Sequence, residues 1–395
     1  MIADCGFVHT MRFEFSTAHR IIFGPGVAEQ IPDLVTRCGE RAFLVLGGTP
    51  GRFGRIAEQI ASRGVACESF GIGGEPTTDM VRAAVASARE AEAQVVVAIG
   101  GGSVLDAGKA VAALLTNEGE LPDYLEVVGE GRPLRNDAAP CIAVPTTAGT
   151  GAEVTYNAVL AVPEQQVKVS MRSPLMLPRW AVLDPLLTHS MPPALTASTG
   201  LDALTQLIEA FVSHKANALT DGVCREGLQR AGRSLRRAFE EGDNAEARED
   251  MAIASLFSGI ALANAKLGAV HGFAGPLGGM TDGPHGVICG KLLPYVMEAN
   301  VRTIRTRAAD SPAVARFDEV GRILTGRDNA KASDAVAWIQ ETCDLFRLPG
   351  LRRYGLREGD FPEVVAKAGK ASSMKGNPIE LRDDELAEIL RQAID

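Results

Sequence analysis

Between residues 40 and 190, short apolar β-rich runs alternate with longer amphipathic stretches. This alternation constrains the fold more than any other feature of the chain. "AFLVLG" (42–47), "CESFG" (67–71), "QVVVAIG" (94–100) and "CIAVP" (141–145) read as strands. "RFGRIAEQIASRG", "TTDMVRAAVASAREAEA" and "GGSVLDAGKAVAALLT" follow three of them with apolar residues at helical spacing, Thr78 being the expected N-cap of the second. Runs that are apolar throughout must be covered on both faces, and a helical crossover lets successive strands run parallel. The first half is therefore expected to be a parallel sheet with helices on both faces. "NAVLAVPEQQVKVSM" reads as a hairpin attached to that sheet, and "WAVLDP" (180–185) as its last strand.

After Pro192 the pattern changes. "PPALTASTGLDALTQLIEAFVSH", "DGVCREGLQRAGRSLRRAFE" and "AREDMAIASLFSGIALANAKLG" are helical in period, and β-branched runs nearly vanish from there to Asp395. A chain of 395 residues also exceeds what one hydrophobic core usually serves. Two domains are expected, an α/β domain over 1–190 and an all-helical one over 191–395. A net charge of −9 argues against nucleic acid as a partner, which demands a basic face. No run reaches the length of a membrane span, and no cationic, apolar leader opens the chain. The seven cysteines show no CxxC spacing and read as reduced, mostly buried thiols of a cytoplasmic protein. Patterned sequence begins near Met11, so the first ten residues read as a weakly ordered tail.

Two loops stand out. "AIGGGSVLDAGKA" (98–110) sets Gly100, Gly101, Gly102 and Ser103 between a buried strand and a helix. Glycines permit close backbone approach there, and the helix start adds its positive dipole end, so the turn can seat a pyrophosphate. A tight turn without a ligand explains the same residues. "VPTTAGTGAEVT" (144–155) follows the next strand and offers hydroxyl and amide donors, or is simply a flexible polar connection. Two such loops at the carboxyl ends of neighbouring parallel strands favour a binding crevice. Farther on, "VHGFAGPLGGMTDGPHG" (270–286) holds His271 and His285 on either side of a segment rich in glycine and proline. The pair reads as metal ligands or as unrelated helix-end residues.

"GGGSVLDAGKA", "PTTAGTGAEVT", "LDPLLTHSMPPALTASTGLDALTQLIEAF" and "VHGFAGPLGGMTDGPHG" occur in one order and spacing, preceded by "IIFGPG" (21–26). Together they resemble the iron-containing (group III) alcohol dehydrogenase family, within the dehydroquinate synthase-like superfamily. The resemblance implies a Rossmann-like dinucleotide-binding domain, an all-α C-terminal domain and an active site between them. It further implies hydride transfer between NAD or NADP and a small alcohol or aldehyde, with a divalent metal, Fe²⁺ or Zn²⁺, as Lewis acid. By position, Gly100, Gly101, Gly102 and Ser103 face the pyrophosphate, with Asp106 one turn along the same helix. Thr146, Thr147 and Thr150 line the cofactor cleft, and Lys168 reaches the nicotinamide ribose. A homodimer through the N-terminal edge strand is implied as well. Gly47, Gly48 and Thr49 end the first long strand without an acid, and Arg52 lies nearby, so cofactor choice is expected to be relaxed or to lean toward NADPH.

The family's metal is held by an aspartate, a histidine four residues later, and two further histidines. Asp202, His271 and His285 match, but the i+4 position holds Gln206. A neutral amide oxygen is a poor substitute for imidazole on Zn²⁺ or Fe²⁺. Gly275 also stands where relatives commonly carry a further histidine, on the substrate side of the site. Three readings follow: a weakened metal site completed by water or Gln206, a metal-free site with His271 or His285 as proton donor, or a nucleotide-binding relative without redox chemistry. A metal-free keto-acid reductase resembling maleylacetate reductases is the alternative within the superfamily. The break through Pro276–Pro284 is expected to turn the two histidines toward Asp202 from two helices. Cys289, one turn beyond His285, is placed to approach the pocket but reads more simply as a buried inert thiol. His214 reads as a helix C-terminal cap, His189 as a solvated turn residue, and "RSLRR" (233–237) as a solvated helix face. His9 and His19 carry no partner pattern.

Overall fold

The computed structural model describes residues 12–48, 51, 53–165 and 167–395. The tail expected over residues 1–10, with His9, lies outside them, as do Thr49 and Arg52. In the first half, β1 (Arg20–Phe23) leads to α1 (Ile31–Thr36), β2 (Arg41–Gly47), α2 (Gly54–Ala61), β3 (Ala66–Ile72) and α3 (Thr78–Glu90). β4 (Val95–Gly100), α4 (Gly102–Thr116), the short α5 (Leu121–Tyr124) and β5 (Cys141–Pro145) follow. β6 (Asn157–Val162), β7 (Val167–Arg172) and β8 (Trp180–Leu183) close this half. The expected strands are all present. Thr77 rather than Thr78 caps α3, its hydroxyl accepting from the Met80 amide, because Thr78 is already helical and buried.

The six-stranded sheet runs in the order β1-β8-β5-β4-β2-β3, and every neighbouring pair is parallel. β2, β4 and β5 are buried along most of their length, as strands covered on both faces must be. β6 and β7 pair antiparallel as expected but form a separate two-stranded sheet. Single bridges, Thr77 to Ala161 and Leu125 to Met171, hold it beside the main layer. Strand order reverses between β2, which is followed outward by β3, and β4, which is followed outward by β5. In sheets of this kind a crevice opens at the carboxyl ends of the strands on either side of that switch.

The second half is helical. α6 (Pro193–Val212), α7 (Ala218–Glu240), α8 (Ala245–Ala265), α9 (Ala269–Met280) and α10 (His285–Arg307) build its centre. α11 (Ala313–Thr325), α12 (Ala332–Leu345), α13 (Phe361–Lys370) and α14 (Asp383–Ala393) surround them. α6 is buried almost all round from Thr196 to Val212, so its polar residues Asp202, Gln206 and Glu209 are buried with it. "RSLRR" on α7 is only partly a solvated face: Arg233 is exposed, but the segment is tied down by ion pairs and hydrogen bonds. Arg233 and Ser234 bind the buried Asp250 carboxylate, Arg236 reaches the Trp338 carbonyl, and Arg237 pairs with Glu246. Among the described residues no single helix is long and apolar enough to cross a membrane.

Candidate active site

The glycine turn comes directly off β4. Gly101 caps α4 without a side-chain hydrogen bond, leaving the first N–H groups of a fifteen-residue helix uncapped by any side chain of their own turn. The turn has no spare room. A Cβ on Gly100 would lie 2.5 Å from Val104 Cγ2, and one on Gly102 would lie 2.7 Å from Thr150 Cγ2 and Oγ1. Thr146 donates its backbone N–H to the Gly100 carbonyl at 2.8 Å, and Thr147 lies against Gly101. The two polar loops thus form one wall at the carboxyl ends of β4 and β5. Bare backbone at a helix start, beside glycines that admit no side chain, fits the diphosphate of a dinucleotide.

Other expected cofactor contacts lie differently. Asp106 accepts the Val159 amide at 2.9 Å and pairs with Lys109 at 2.9 Å, so its carboxylate ties α4 to β6. Lys109 is fully buried and also donates to Ala152 O and Thr155 Oγ1 at 2.9 Å each, and to Asn157 O. It braces the loop that carries Thr146–Thr150, a role that sequence reasoning missed. Lys168 Nζ pairs with Glu75 at 2.5 Å and sits 2.9 Å from where a Cβ on Gly278 would be. The β6–β7 hairpin therefore touches α9 across the cleft.

Asp202, His271 and His285 converge from α6, α9 and α10. His271 Nε2 is 3.2 Å and His285 Nε2 3.7 Å from Asp202 Oδ1, and the two rings lie 5.4 Å apart. α9 runs straight through Pro276, and the chain breaks only over residues 281–284. That shorter break is what turns His285, the first residue of α10, back toward α9. Cys289 joins them, its Sγ 3.8 Å from His271 Nε2 and 3.7 Å from His285 Nε2. The expectation of an inert thiol fails because α10 places Cys289 one turn beyond His285 on the same face. All four donors lie within 4.8 Å of one another.

Gln206 lies beside this group. It supports the Asp202 carboxylate with a side-chain hydrogen bond, while its Oε1 accepts from the Ser258 hydroxyl at 2.8 Å. Ser258 Oγ is also 3.3 Å from the Gly149 carbonyl, so a polar path runs from Asp202 to the threonine loop. Behind the cluster stands Glu209, which sequence reasoning also missed. One oxygen accepts from the Val270 amide at 2.6 Å; the other accepts from His271 Nδ1 at 2.7 Å. Its only sequence signal was an acid seven residues, about two turns, after Asp202 on a buried helix.

Burial opposes charge on these groups, and their mutual contacts outweigh it. Burial works against ionisation of Cys289, yet the imidazoles of His285 and His271 hold its thiol below the usual range. Burial likewise opposes protonation of His271, whereas Cys289, Asp202 and Glu209 raise it well above an ordinary histidine. His285 is raised chiefly by Cys289. The donors repeat the demands of a metal site: a tetrahedral ion at about 2.0–2.1 Å from nitrogen and oxygen and 2.3 Å from sulfur sets donor edges of roughly 3.3–3.6 Å. Four of the six edges, at 3.2, 3.7, 3.7 and 3.8 Å, lie close to that cage, and the other two stay within 4.8 Å. A divalent ion fits here.

The remaining histidines lie elsewhere. His189 is half-buried with its Nε2 enclosed and unpartnered, not solvated, because the 185–188 turn folds it inward. His214 lies beyond the α6 terminus, exposed, with Nδ1 3.3 Å from the Asn377 carbonyl. His19 is exposed beside β1.

Comparison with known proteins follows the same division. Residues 18–185 match the family model for iron-containing alcohol dehydrogenase, and residues 196–394 match that of the Fe-containing alcohol dehydrogenase C-terminal region. A 1,3-propanediol dehydrogenase of Klebsiella pneumoniae is 35% identical over 393 residues, covering 96% of this chain and 98% of that one. A crystal structure of 1,3-propanediol oxidoreductase superposes with a TM-score of 0.89 at 33% identity, covering 97% of this chain and all of the other. A sulfoacetaldehyde reductase from Bifidobacterium kashiwanohense, solved in complex with NAD⁺, superposes with a TM-score of 0.84 at 29% identity, covering 98% and 99%. Both halves of this chain carry the family's signature in register, and it belongs to the iron-containing alcohol dehydrogenases, as an NAD(P)-dependent alcohol dehydrogenase or aldehyde reductase.

Proposed function

We propose that this protein passes a hydride between NAD(P)H and a small aldehyde, or the reverse with the alcohol, in the cleft between residues 1–190 and 191–395. The observation that carries this reading is the convergence of Asp202, His271 and His285, linked through Ser258 and Gly149 to the threonine loop that packs on the glycine turn. The dinucleotide lies across the carboxyl ends of β2 and β4, its diphosphate on the N–H groups of Gly102 and Ser103. Thr146, Thr147 and Thr150 form the wall that supports it, and Lys168, held by Glu75 against α9, faces the cofactor from the hairpin side.

Asp202, His271 and His285 would hold the divalent ion, which supplies Lewis-acid polarisation of the substrate oxygen when bound. Glu209 accepts a hydrogen bond from the Nδ1–H of His271, favouring the tautomer that presents the Nε2 lone pair to the cluster. Gln206 orients Asp202 from within α6. His285 is 42% exposed where Asp202 and His271 are 3% and 7%, so the cluster meets substrate on the His285 side. The proton that completes aldehyde reduction enters from that open face. Gly275, with nothing near the Cβ it lacks, leaves space on the substrate side. As an edge strand of the main sheet, β1 supports the reading of a homodimer joined there.

The test is oxidation of NADH and NADPH by the zinc- or iron-loaded protein with a panel of small aldehydes. Turnover is expected with both cofactors at efficiencies within about tenfold, since no carboxylate ends β2 to repel a 2′-phosphate. Absence of turnover with every aldehyde would remove the reading, and a tens-fold preference for NADH would remove its cofactor part.

A further inference from the structure

Gln206 stands where a fourth metal donor is needed, and its amide is already committed. Its oxygen accepts from Ser258 at 2.8 Å, and its amide helps keep the Asp202 carboxylate ionised. Turning that oxygen toward an ion would break the Ser258 contact inside a buried helix. Cys289 has no such commitment. Among the described residues its Sγ hydrogen-bonds to His271 Nε2 and His285 Nε2, at 3.8 and 3.7 Å, and to no backbone carbonyl, whereas the buried thiol of Cys343 donates to the Gly290 carbonyl.

We infer that the Cys289 thiolate is the fourth protein ligand of the divalent ion, together with Asp202, His271 and His285. The inference rests on the proposal that those three residues hold an ion. Geometry supports it through the helix period: α10 presents His285 and Cys289 one turn apart, so one helix supplies two adjacent corners of the cage. Donor chemistry supports it as well: a thiolate is a strong ligand for a divalent ion such as Zn²⁺, whereas Gln206 offers only a neutral amide oxygen. On binding, the Cys289 S–H bond and any Nε2–H bond of His271 and His285 would break, the protons leaving to solvent and the freed sulfur and nitrogen lone pairs forming the bonds to the metal. A soft sulfur donor also shifts preference from Fe²⁺ toward Zn²⁺.

Cobalt reads the ligand set directly. The full-length protein is stripped with a chelator, kept anaerobic and titrated with Co²⁺. Visible bands of a tetrahedral site are expected, together with a near-ultraviolet thiolate-to-cobalt charge-transfer band. Cys289→Ser should lose the charge-transfer band and bind Co²⁺ more weakly by more than the roughly 10–100-fold that an outer partner costs. Gln206→Ala should keep the band. X-ray absorption of the zinc-loaded wild type, which needs no variant, should contain one sulfur at about 2.3 Å. Tight cobalt binding without the charge-transfer band, or a band that survives Cys289→Ser, would overturn the assignment. Cofactor oxidation is assayed separately: a thiolate band without turnover leaves the ligand set standing and removes the hydride reading, and turnover without the band does the reverse.

Discussion

Glu209 serves two helices with one carboxylate. It caps the start of α9, where Gly268 offers no side chain, and it holds His271 in one orientation and one tautomer. Glu209→Gln keeps one acceptor for the Val270 amide but weakens the pull on Nδ1. Metal affinity should fall about 10–100-fold while the fold survives. Competition for Zn²⁺ against a chromophoric chelator measures this, and unchanged affinity would show that the ring is held by packing alone. Glu153 poses a different problem. It is 1% exposed, its Oε1 has no partner, and burial pushes its pKa from 4.5 up to about 7 against the weaker pull of its own backbone and Lys109. An acid with a raised folded pKa binds its proton more tightly when folded, so its stability is intact below pH 4.5 and drains away as pH rises toward 7. The full shift corresponds to about 3 kcal/mol. Glu153→Gln should therefore match wild type near pH 4.5 and exceed it by up to that amount at pH 8. Urea unfolding at the two pH values decides it, and a gap that does not widen with pH would refute it.

At the scale of elements, the glycine turn and the threonine loop act as one piece because each fills the other's space. Gly102→Val would drive a side chain into Thr150, 2.7 Å from its first carbon, and also cover the N–H groups at the start of α4. Calorimetry should record no NADH binding in a variant whose circular dichroism melt still shows a folded chain, and wild-type affinity would place the diphosphate elsewhere. This wall was legible in the sequence because "GGGS" and "PTTAGTG" sit at the ends of two strands with nowhere else to pack. So were Asp202, His271 and His285, carried by motifs in register. What escaped were roles that depend on crossing between elements. Asp106 reads as a cofactor contact one turn into α4, yet its carboxylate is taken by β6 and Lys109. Pro276 reads as a helix breaker, yet α9 continues through it, since a proline removes only one hydrogen bond and here that cost is borne within a well-packed helix. The hairpin's detachment from the main sheet is likewise a tertiary fact without a local signature, whereas the thiol's place beside His285 follows from the i+4 spacing and only its approach to His271 is tertiary.

The whole molecule works only if its two halves meet at a fixed distance. Their cores are largely separate among the described residues: one cluster runs through α6–α14 and takes in Ala148, two others line the faces of the sheet, and a small patch of Ala18, Val154, Ala181, Leu183, Leu256 and Ile260 is shared. Contact is closest where backbone meets backbone. Gly151, at φ +60°, lies against Gly259 of α8, and a Cβ on Gly259 would come within 2.3 Å of the Gly151 carbonyl oxygen. Gly149 abuts Thr199 of α6 with equally little room. The threonine loop, proposed to face the cofactor, is thus pressed onto α8 and onto α6, which carries Asp202 and Gln206, with Ser258 of α8 bridging the two sides. A methyl group at residue 259 must push the loop away from α8. Separating hydride donor and acceptor by as little as 1 Å can cost on the order of 100-fold in rate. Gly259→Ala should therefore lower kcat by about that factor, while NADH affinity and Zn²⁺ affinity, each set within one half, change little. Steady-state kinetics beside calorimetry of the two ligands separate the cases. A wild-type kcat would mean that the halves close by a motion that does not depend on this contact, and a loss of NADH binding would mean that the loop, not the gap, had been damaged.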